Sequence, residues 1–264
     1  MDGHPTIAVV TGAGRGIGAG IAGALSARRH HVVVTDVDAA AAQRTADALD
    51  GPATAMPLDV RDETAHRGVA AAAAALGDVT VWVNNAGVLF SAPSWEVSDA
   101  QTRTTFEVNT LGVVHGCRAA IDVMRSGEIL NVVSLSGLGP TPGLAAYGAS
   151  KAAALSWSQA LDTELGMARR PIRVRALCPD AVSTDLLTGV ADSSSSALLF
   201  TGTRLLSAAE VVDAAMALLG SRRQMRTLPG YRAAVQRLAA MSPGLARVLT
   251  PFVARIGERR RRRR

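Results

Sequence analysis

The sequence predicts an α/β fold: a doubly wound parallel sheet with helices on both faces, in one domain with a helical C-terminal extension. Three observations carry this. Short apolar runs alternate with longer segments of helical periodicity as far as Gly220. The short runs are mostly unbroken Val, Ile and Leu, as in strands buried on both faces. The first run also leads into a glycine-rich turn, TGAGRGIG, Thr11 to Gly18.

The elements follow in order. The apolar run 6–11 is the first strand, and IGAGIAGALSARR makes 16–29 a helix. Strands at 31–36, 53–58, 79–84, 128–134 and 172–178 alternate with helices near 38–50, 62–76, 98–124 and 146–168. RTLPG supplies a short closing strand. This spacing gives right-handed crossovers and a parallel sheet, so ligands are expected beyond the carboxyl ends of its strands. We assign 1–230 to the sheet domain, with a lid at about 185–206, and 231–264 to an extension. In that extension Leu245, Val248, Leu249, Phe252, Val253 and Ile256 share one helical face, Arg247 and Arg255 lie off it, and Pro243 suits the first turn.

Composition narrows the function classes. With 48% hydrophobic and 19% charged residues the chain is globular, and no apolar run reaches the ~18 residues of a membrane span. The opening MDGHPTIAVV lacks the basic stretch of a signal peptide. Cys117 and Cys178 stand apart in apolar segments, which fits buried thiols in a reducing cytoplasm, and no metal-ligand spacing is present. The net charge of +6 comes from the last six residues, all arginine; without them 22 basic residues face 22 acidic ones. The body therefore has no nucleic-acid footprint. Of the 28 basic residues only Lys151 is a lysine, which points to a position that needs an ammonium, although the chain's arginine bias is a second explanation.

The glycine turn leaves two readings open. It lacks a strict G-x-G-x-x-G, because Ile17 stands where the third glycine would. It either turns a strand into a helix or lets a pyrophosphate approach the helix N-terminus. The ends of the later strands add candidates. Asp36 can accept hydrogen bonds from ribose hydroxyls and repel a 2′-phosphate, or be a solvated turn residue. Asp59, followed by Val60, can meet an adenine amino group or cap a helix. Asn84-Asn85-Ala86-Gly87 can brace loops or form an ordinary turn.

Tyr147-Gly-Ala-Ser-Lys151 opens a helix, and its i, i+4 spacing puts phenol and ammonium on one face. A free phenol titrates near ~10, and a neighbouring cation favours its phenolate. Ser134 ends the preceding strand, so its hydroxyl and the phenol face one cleft.

Taken together these residues resemble the short-chain dehydrogenases/reductases, a Rossmann-type family, over about residues 5–220. Thr11-Gly12-x-x-x-Gly16-x-Gly18 is similar to the family's cofactor turn, and Asn84 to Gly87 to its NNAG motif. The resemblance implies a catalytic set of Asn109, Ser134, Tyr147 and Lys151: Tyr147 as general acid/base, Lys151 lowering its pKa and holding the nicotinamide ribose, Ser134 on the substrate oxygen, and Asn109 anchoring a water. It implies cofactor contacts from Gly12, Arg15, Gly16, Ile17, Gly18, Asp36, Asp59, Val60, Asn85, Ala86 and Gly87, from Tyr147 and Lys151, and from Pro179, Val182 and Thr184. Asp36 favours NAD; Arg15 argues for NADP as the second choice. The chain departs from the family at Asp180, where glycine is usual.

The expected activity is hydride transfer between a nicotinamide and a small apolar secondary alcohol or ketone, with Leu186, Leu187, Leu198, Leu199 and Phe200 of the lid setting the apolar preference. The competing reading is a dinucleotide-binding regulatory or scaffold protein without catalysis, and four intact catalytic positions favour the enzyme. The apolar stripe of the extension is expected to pack on the domain or on a sister subunit in a homo-oligomer (dimer or tetramer). A peripheral membrane contact is the second reading. No metal and no nucleic-acid partner are expected.

Overall fold

The computed structural model describes residues 4–190 and 193–263. Three N-terminal residues, 191 and 192 of the lid, and the last arginine lie outside the described residues. Seven parallel strands form one sheet: β1 (Thr6–Thr11), β2 (His31–Asp36), β3 (Ala53–Pro57), β4 (Asp78–Asn84), β5 (Gly127–Val132), β6 (Ile172–Pro179) and β7 (Met225–Leu228), in the order β3-β2-β1-β4-β5-β6-β7. The chain winds outward from β1 in one direction, then returns to place β4 against its other edge. This reversal opens a crevice at the carboxyl ends of β1 and β4.

Helices α1 (Gly16–Ala27), α2 (Ala39–Asp47), α3 (Glu63–Leu76), α4 (Asp99–Phe106), α5 (Gly112–Val123), α6 (Ala145–Met167), α7 (Asp185–Thr188) and α8 (Ala208–Leu218) connect and cover the strands. The core lies in two layers. On one face Ile21 and Leu25 of α1 pack with Val10 and Val34 of the sheet and Val211 of α8. On the other, Val9, Val33 and Trp82 pack under α3, α5 and α6. The β1 side chains alternate between these layers and are buried in both, which is why the strand reads as an unbroken apolar run.

Two differences from the sequence-based boundaries matter. The helix expected over 98–124 is interrupted: α4 and α5 are joined by a π-helical turn, Glu107–Leu111, centred on Asn109. Strand β5 stops two residues before Ser134, which instead starts a 3-10 turn, Leu135–Leu138. The extension forms α9 (Gly230–Met241) and α10 (Pro243–Arg261), with Pro243 in the first turn of α10. Among the described residues no helix is long and apolar enough to cross a membrane.

Candidate active site

A cleft of about 680 Å³ runs along the carboxyl ends of β1, β2, β4, β5 and β6. Gly12, Arg15, Gly16 and Ile17 line it at one end, with Asp36, Asp59 and Val60 beside them. Asn85, Ala86 and Gly87 form its middle, and Ser134, Tyr147, Lys151, Pro179, Val182 and Thr184 the other end. Gly18 and Asn109 support the wall from behind.

The glycine turn has the shape of an anion cradle. Gly12 and Gly16 have φ of +61° and +59°, values that favour glycine. A methyl group on Gly18 would lie 2.3 Å from the Gly12 carbonyl oxygen, so the helix can meet the turn this closely only as glycine. Arg15 precedes α1 without capping it by its side chain, and among the described residues no side-chain cap hydrogen bond is made to the first turn of α1. Asn85 fixes the turn from β4. Its Nδ2 donates to the carbonyls of Thr11 at 3.0 Å and Gly12 at 2.9 Å, and its own N–H donates to Thr11 Oγ1. Asn84 faces the core, accepting from Trp82 Nε1 and donating to Asn131 Oδ1.

Asp36 is held at the end of β2 by two backbone donors, Gly14 N at 2.9 Å and Asp38 N at 3.0 Å, one to each carboxylate oxygen. Asp59 is less available than its spacing suggests. Arg61 grips both its oxygens, and this pairing holds the carboxyl below its ordinary range. Arg15 reaches Asp185 of α7 at 3.8 Å, an exposed pair across the mouth of the cleft.

Tyr147, Lys151, Ser134 and Asn109 are all buried. Tyr147 lies in the first turn of α6 and Lys151 one turn on, with Nζ 5.9 Å from the phenol ring centroid. Lys151 Nζ donates to the Val132 carbonyl at 3.0 Å, and burial pulls its pKa down to about 8. The expected lowering of the Tyr147 pKa by Lys151 is not found. Burial raises it, and the Ser134 side chain provides the opposing effect. Ser134 Oγ itself accepts from Ser136 N at 3.1 Å. Asn109 Nδ2 donates to the Val88 carbonyl and to Ser150 Oγ, while its Oδ1 accepts from Val88 N. The side chain therefore clamps the loop after β4. Gly87 lies between the two groups: a methyl there would stand 3.2 Å from Asn109 Oδ1 and 3.5 Å from Lys151 Nζ.

Of the five apolar lid residues, Leu186, Leu187 and Leu199 line the cleft; Leu198 and Phe200 do not, and Phe200 is buried. Asp180 lines the cleft and pairs with Arg232 of α9 at 2.5 Å. Arg61, Ser150 and Arg232 escaped the sequence reading. Arg61 stands two residues from Asp59 and could have been found from charge spacing; the other two act across long sequence separations.

Residues 6–194 match the short chain dehydrogenase family. The chain belongs to it. A 1-deoxy-11-beta-hydroxypentalenate dehydrogenase of Streptomyces avermitilis is 34% identical to this short-chain dehydrogenase over 230 residues, covering 83% of each chain. A 3beta-hydroxysteroid dehydrogenase of Eggerthella lenta is 36% identical, covering 67% of this chain and 71% of its own. A galactitol 2-dehydrogenase of Agrobacterium fabrum is 33% identical, with 67% and 70% covered. Among solved structures, a short-chain dehydrogenase/reductase of Burkholderia phymatum in complex with NAD superposes with a TM-score of 0.83 at 26% identity, covering 93% of this chain and 96% of that one. The protein is thus an oxidoreductase of CH–OH groups that uses a nicotinamide dinucleotide.

Proposed function

We propose that this short-chain dehydrogenase/reductase interconverts an apolar secondary alcohol and its ketone, using NAD in preference to NADP, with Tyr147, Lys151, Ser134 and Asn109 as its working residues. The observation that carries the proposal is the convergence of the Tyr147 phenol, the Ser134 hydroxyl and the Lys151 ammonium on the cleft that begins at the glycine turn. The turn, the first turn of α1 without a side-chain cap and the Asp36 carboxylate fit a dinucleotide's pyrophosphate and ribose. Gly12, Gly16, Ile17 and Gly18 would hold the former and Asp36 the latter, with Asn85 to Gly87, Val60 and the segment from Pro179 to Thr184 along its length. The bound dinucleotide supplies the hydride acceptor or donor.

The protein's own residues supply the proton and the alignment. Tyr147 exchanges a proton with the substrate oxygen, donating as a phenol to the developing alkoxide in ketone reduction, the form its burial favours, and accepting as a phenolate in alcohol oxidation. Ser134 hydrogen-bonds the same oxygen. Lys151, anchored on Val132, holds positive charge beneath the reacting groups. Asn109 sets the loop at Val88 and the π turn beside Lys151.

NAD preference is supported by Asp36, whose carboxylate would meet a 2′-phosphate with like charge, and by Arg15, which turns to Asp185. The apolar substrate is supported by Leu186, Leu187 and Leu199 in the cleft and by relatives named for a hydroxysteroid and a hydroxypentalenate. A third relative is named for galactitol, so polyols belong in the test. We assign 1–230 as the catalytic unit, with its lid at about 185–206, and 231–264 as an extension; a homo-oligomeric state in the cytoplasm belongs to the same proposal. The deciding experiment is a cofactor-reduction screen over steroid, terpenoid, polyketide, polyol and short aliphatic alcohols with both dinucleotides. Turnover confined to polyols, or higher kcat/KM with NADP, would overturn it.

A further inference from the structure

The C-terminal helices present an apolar face that the protein does not cover. On α9 it comprises Tyr231, Val235, Leu238 and Met241, and on α10 the stripe from Leu245 to Ile256; Leu245, Val248 and Phe252 are 60%, 62% and 59% exposed. The helices cannot turn this face inward, because their other sides are already anchored. In α9, Ala233 is buried, Gln236 Nε2 donates to the carbonyls of Gly139 and Pro140, and Arg232 pairs with Asp180. In α10, Gly257 packs so tightly that a methyl there would lie 2.0 Å from the Ala197 carbonyl oxygen, and Arg260 donates to the carbonyls of Thr201 and Gly202. The expected packing of the stripe on the protein's own domain is therefore not found. One arginine of the tail, Arg260, reaches the lid.

Charge decides what fits the face. Residues 225–264 contain eleven arginines and one acid, Glu258, a net +10, which leaves the first 224 residues at −4. Arg261 and Arg262 already engage Glu258. Arg255 stacks its guanidinium 5.8 Å from the Phe252 ring centroid, so cation and apolar surface meet at the edge of the stripe. Arg247, Arg259 and Arg263 are exposed. A symmetric pairing of two copies through this face would bring two strongly basic segments together, although Arg232 is already paired with Asp180. Nucleic acid would satisfy the arginines and leave the stripe in water. An anionic bilayer surface meets both features, with the stripe at the headgroup–acyl boundary and the guanidinium groups among the phosphates.

We propose that the exposed faces of α9 and α10 form a docking surface for anionic lipid, which places the enzyme on a membrane surface without crossing it. The test uses the full chain and sucrose-loaded vesicles of phosphatidylglycerol or phosphatidylcholine. Wild-type protein pellets with phosphatidylglycerol, less so at high salt, and not with phosphatidylcholine. Each basic residue near such a surface multiplies partitioning by about fivefold, so Arg247→Ser/Arg259→Ser/Arg263→Ser loses roughly 100-fold. Val248→Asp/Phe252→Asp loses binding too. Both variants keep wild-type circular dichroism and melting, since these side chains are exposed. Absence of pelleting, equal pelleting with both lipids, or indifference to both sets of substitutions would overturn the proposal. So would a fall in sedimenting mass on Val248→Asp/Phe252→Asp without lipid, which would give the face to a second copy.

Discussion

Removal of the Arg232 side chain is the sharpest test of how Asp180 is accommodated. Arg232 Nε lies 2.5 Å from Asp180 Oδ2, with the two side chains 22% and 14% exposed, and Arg232 Nη2 also donates to Thr201 Oγ1 at 2.8 Å. One cation thus joins the loop after β6, the lid and α9. Burial raises the Asp180 pKa, and Arg232 is the chief opposing influence. Arg232→Met leaves the carboxylate buried, with the Ala181 N–H among the few groups still favouring its charge. Stripping one partner from a fully buried pair costs about 3–5 kcal/mol; the residual exposure here brings the expectation to about 2–3 kcal/mol at pH 7. For a chain of this size that is a fall in Tm of roughly 5–10 °C. Because Asp180 is easier to protonate folded than unfolded, its contribution to stability is whole below about pH 3.9 and is lost as pH rises through the folded value. Arg232→Met raises that folded value further, so its deficit shrinks as the pH is lowered towards 4.5. Urea titrations of wild type, Arg232→Met, Asp180→Asn and the double variant at pH 4.5 and 7 measure this. A deficit below 0.5 kcal/mol at pH 7, a pH-independent deficit, or a double variant no more stable than Arg232→Met would refute the reasoning; this threshold is about the scale of an ordinary surface substitution.

Three further outcomes are expected. Tyr147→Phe lowers kcat by about 10²–10⁴-fold while a cofactor titration gives a nearly unchanged Kd, and Lys151→Arg fails similarly because the guanidinium fork does not fit a buried ammonium site. Asp36→Ala narrows the ratio of kcat/KM between NAD and NADP by about tenfold or more, the worth of a hydrogen bond to a charged acceptor. His66 is fully buried, with Nε2 3.2 Å from the Val60 carbonyl, and burial pulls its pKa to about 4. The fold favours the neutral imidazole, so this stability is whole above about pH 6.5 and is lost as pH falls through 4; a wild-type loss of about 3 kcal/mol over that window, flattened in His66→Gln, is checked by urea titration.

What the sequence discloses is what is written locally. The strands are legible because a sheet covered on both faces needs unbroken apolar runs, and β1 and β2 have them. The glycine turn is legible because positive φ at Gly12 and Gly16 requires that residue type. The π turn at Asn109 is not legible, since it depends on an amide that clamps Val88, 21 residues away, and on Ser150, 41 residues away. The Asp180–Arg232 pair spans 52 positions and leaves no local periodicity. The stripe on α10 is legible as a face, but periodicity says nothing of what covers it. The direction of the Tyr147 shift is not legible either: i, i+4 spacing reports a neighbouring cation, whereas the shift is set by burial, a property of the whole fold, against the Ser134 hydrogen bond.

That burial also explains the single lysine among 28 basic residues. At this position the side chain is 4% exposed, and its pKa falls to about 8, where an ammonium can still exchange its proton near neutrality. A guanidinium, with a pKa above about 12, could not. Space argues the same way. The Nζ donates to Val132 and stands 3.5 Å from where a methyl on Gly87 would be, so only a compact cation fits between the strand end and the loop. Among the described residues arginine is buried elsewhere only where its whole fork is used: Arg175, equally buried, pairs with Glu128 and donates to the carbonyls of Ser221 and Arg223. Under the proposed mechanism the charge beneath the reacting groups must be both small and buried, and an ammonium meets both conditions where a guanidinium fork does not.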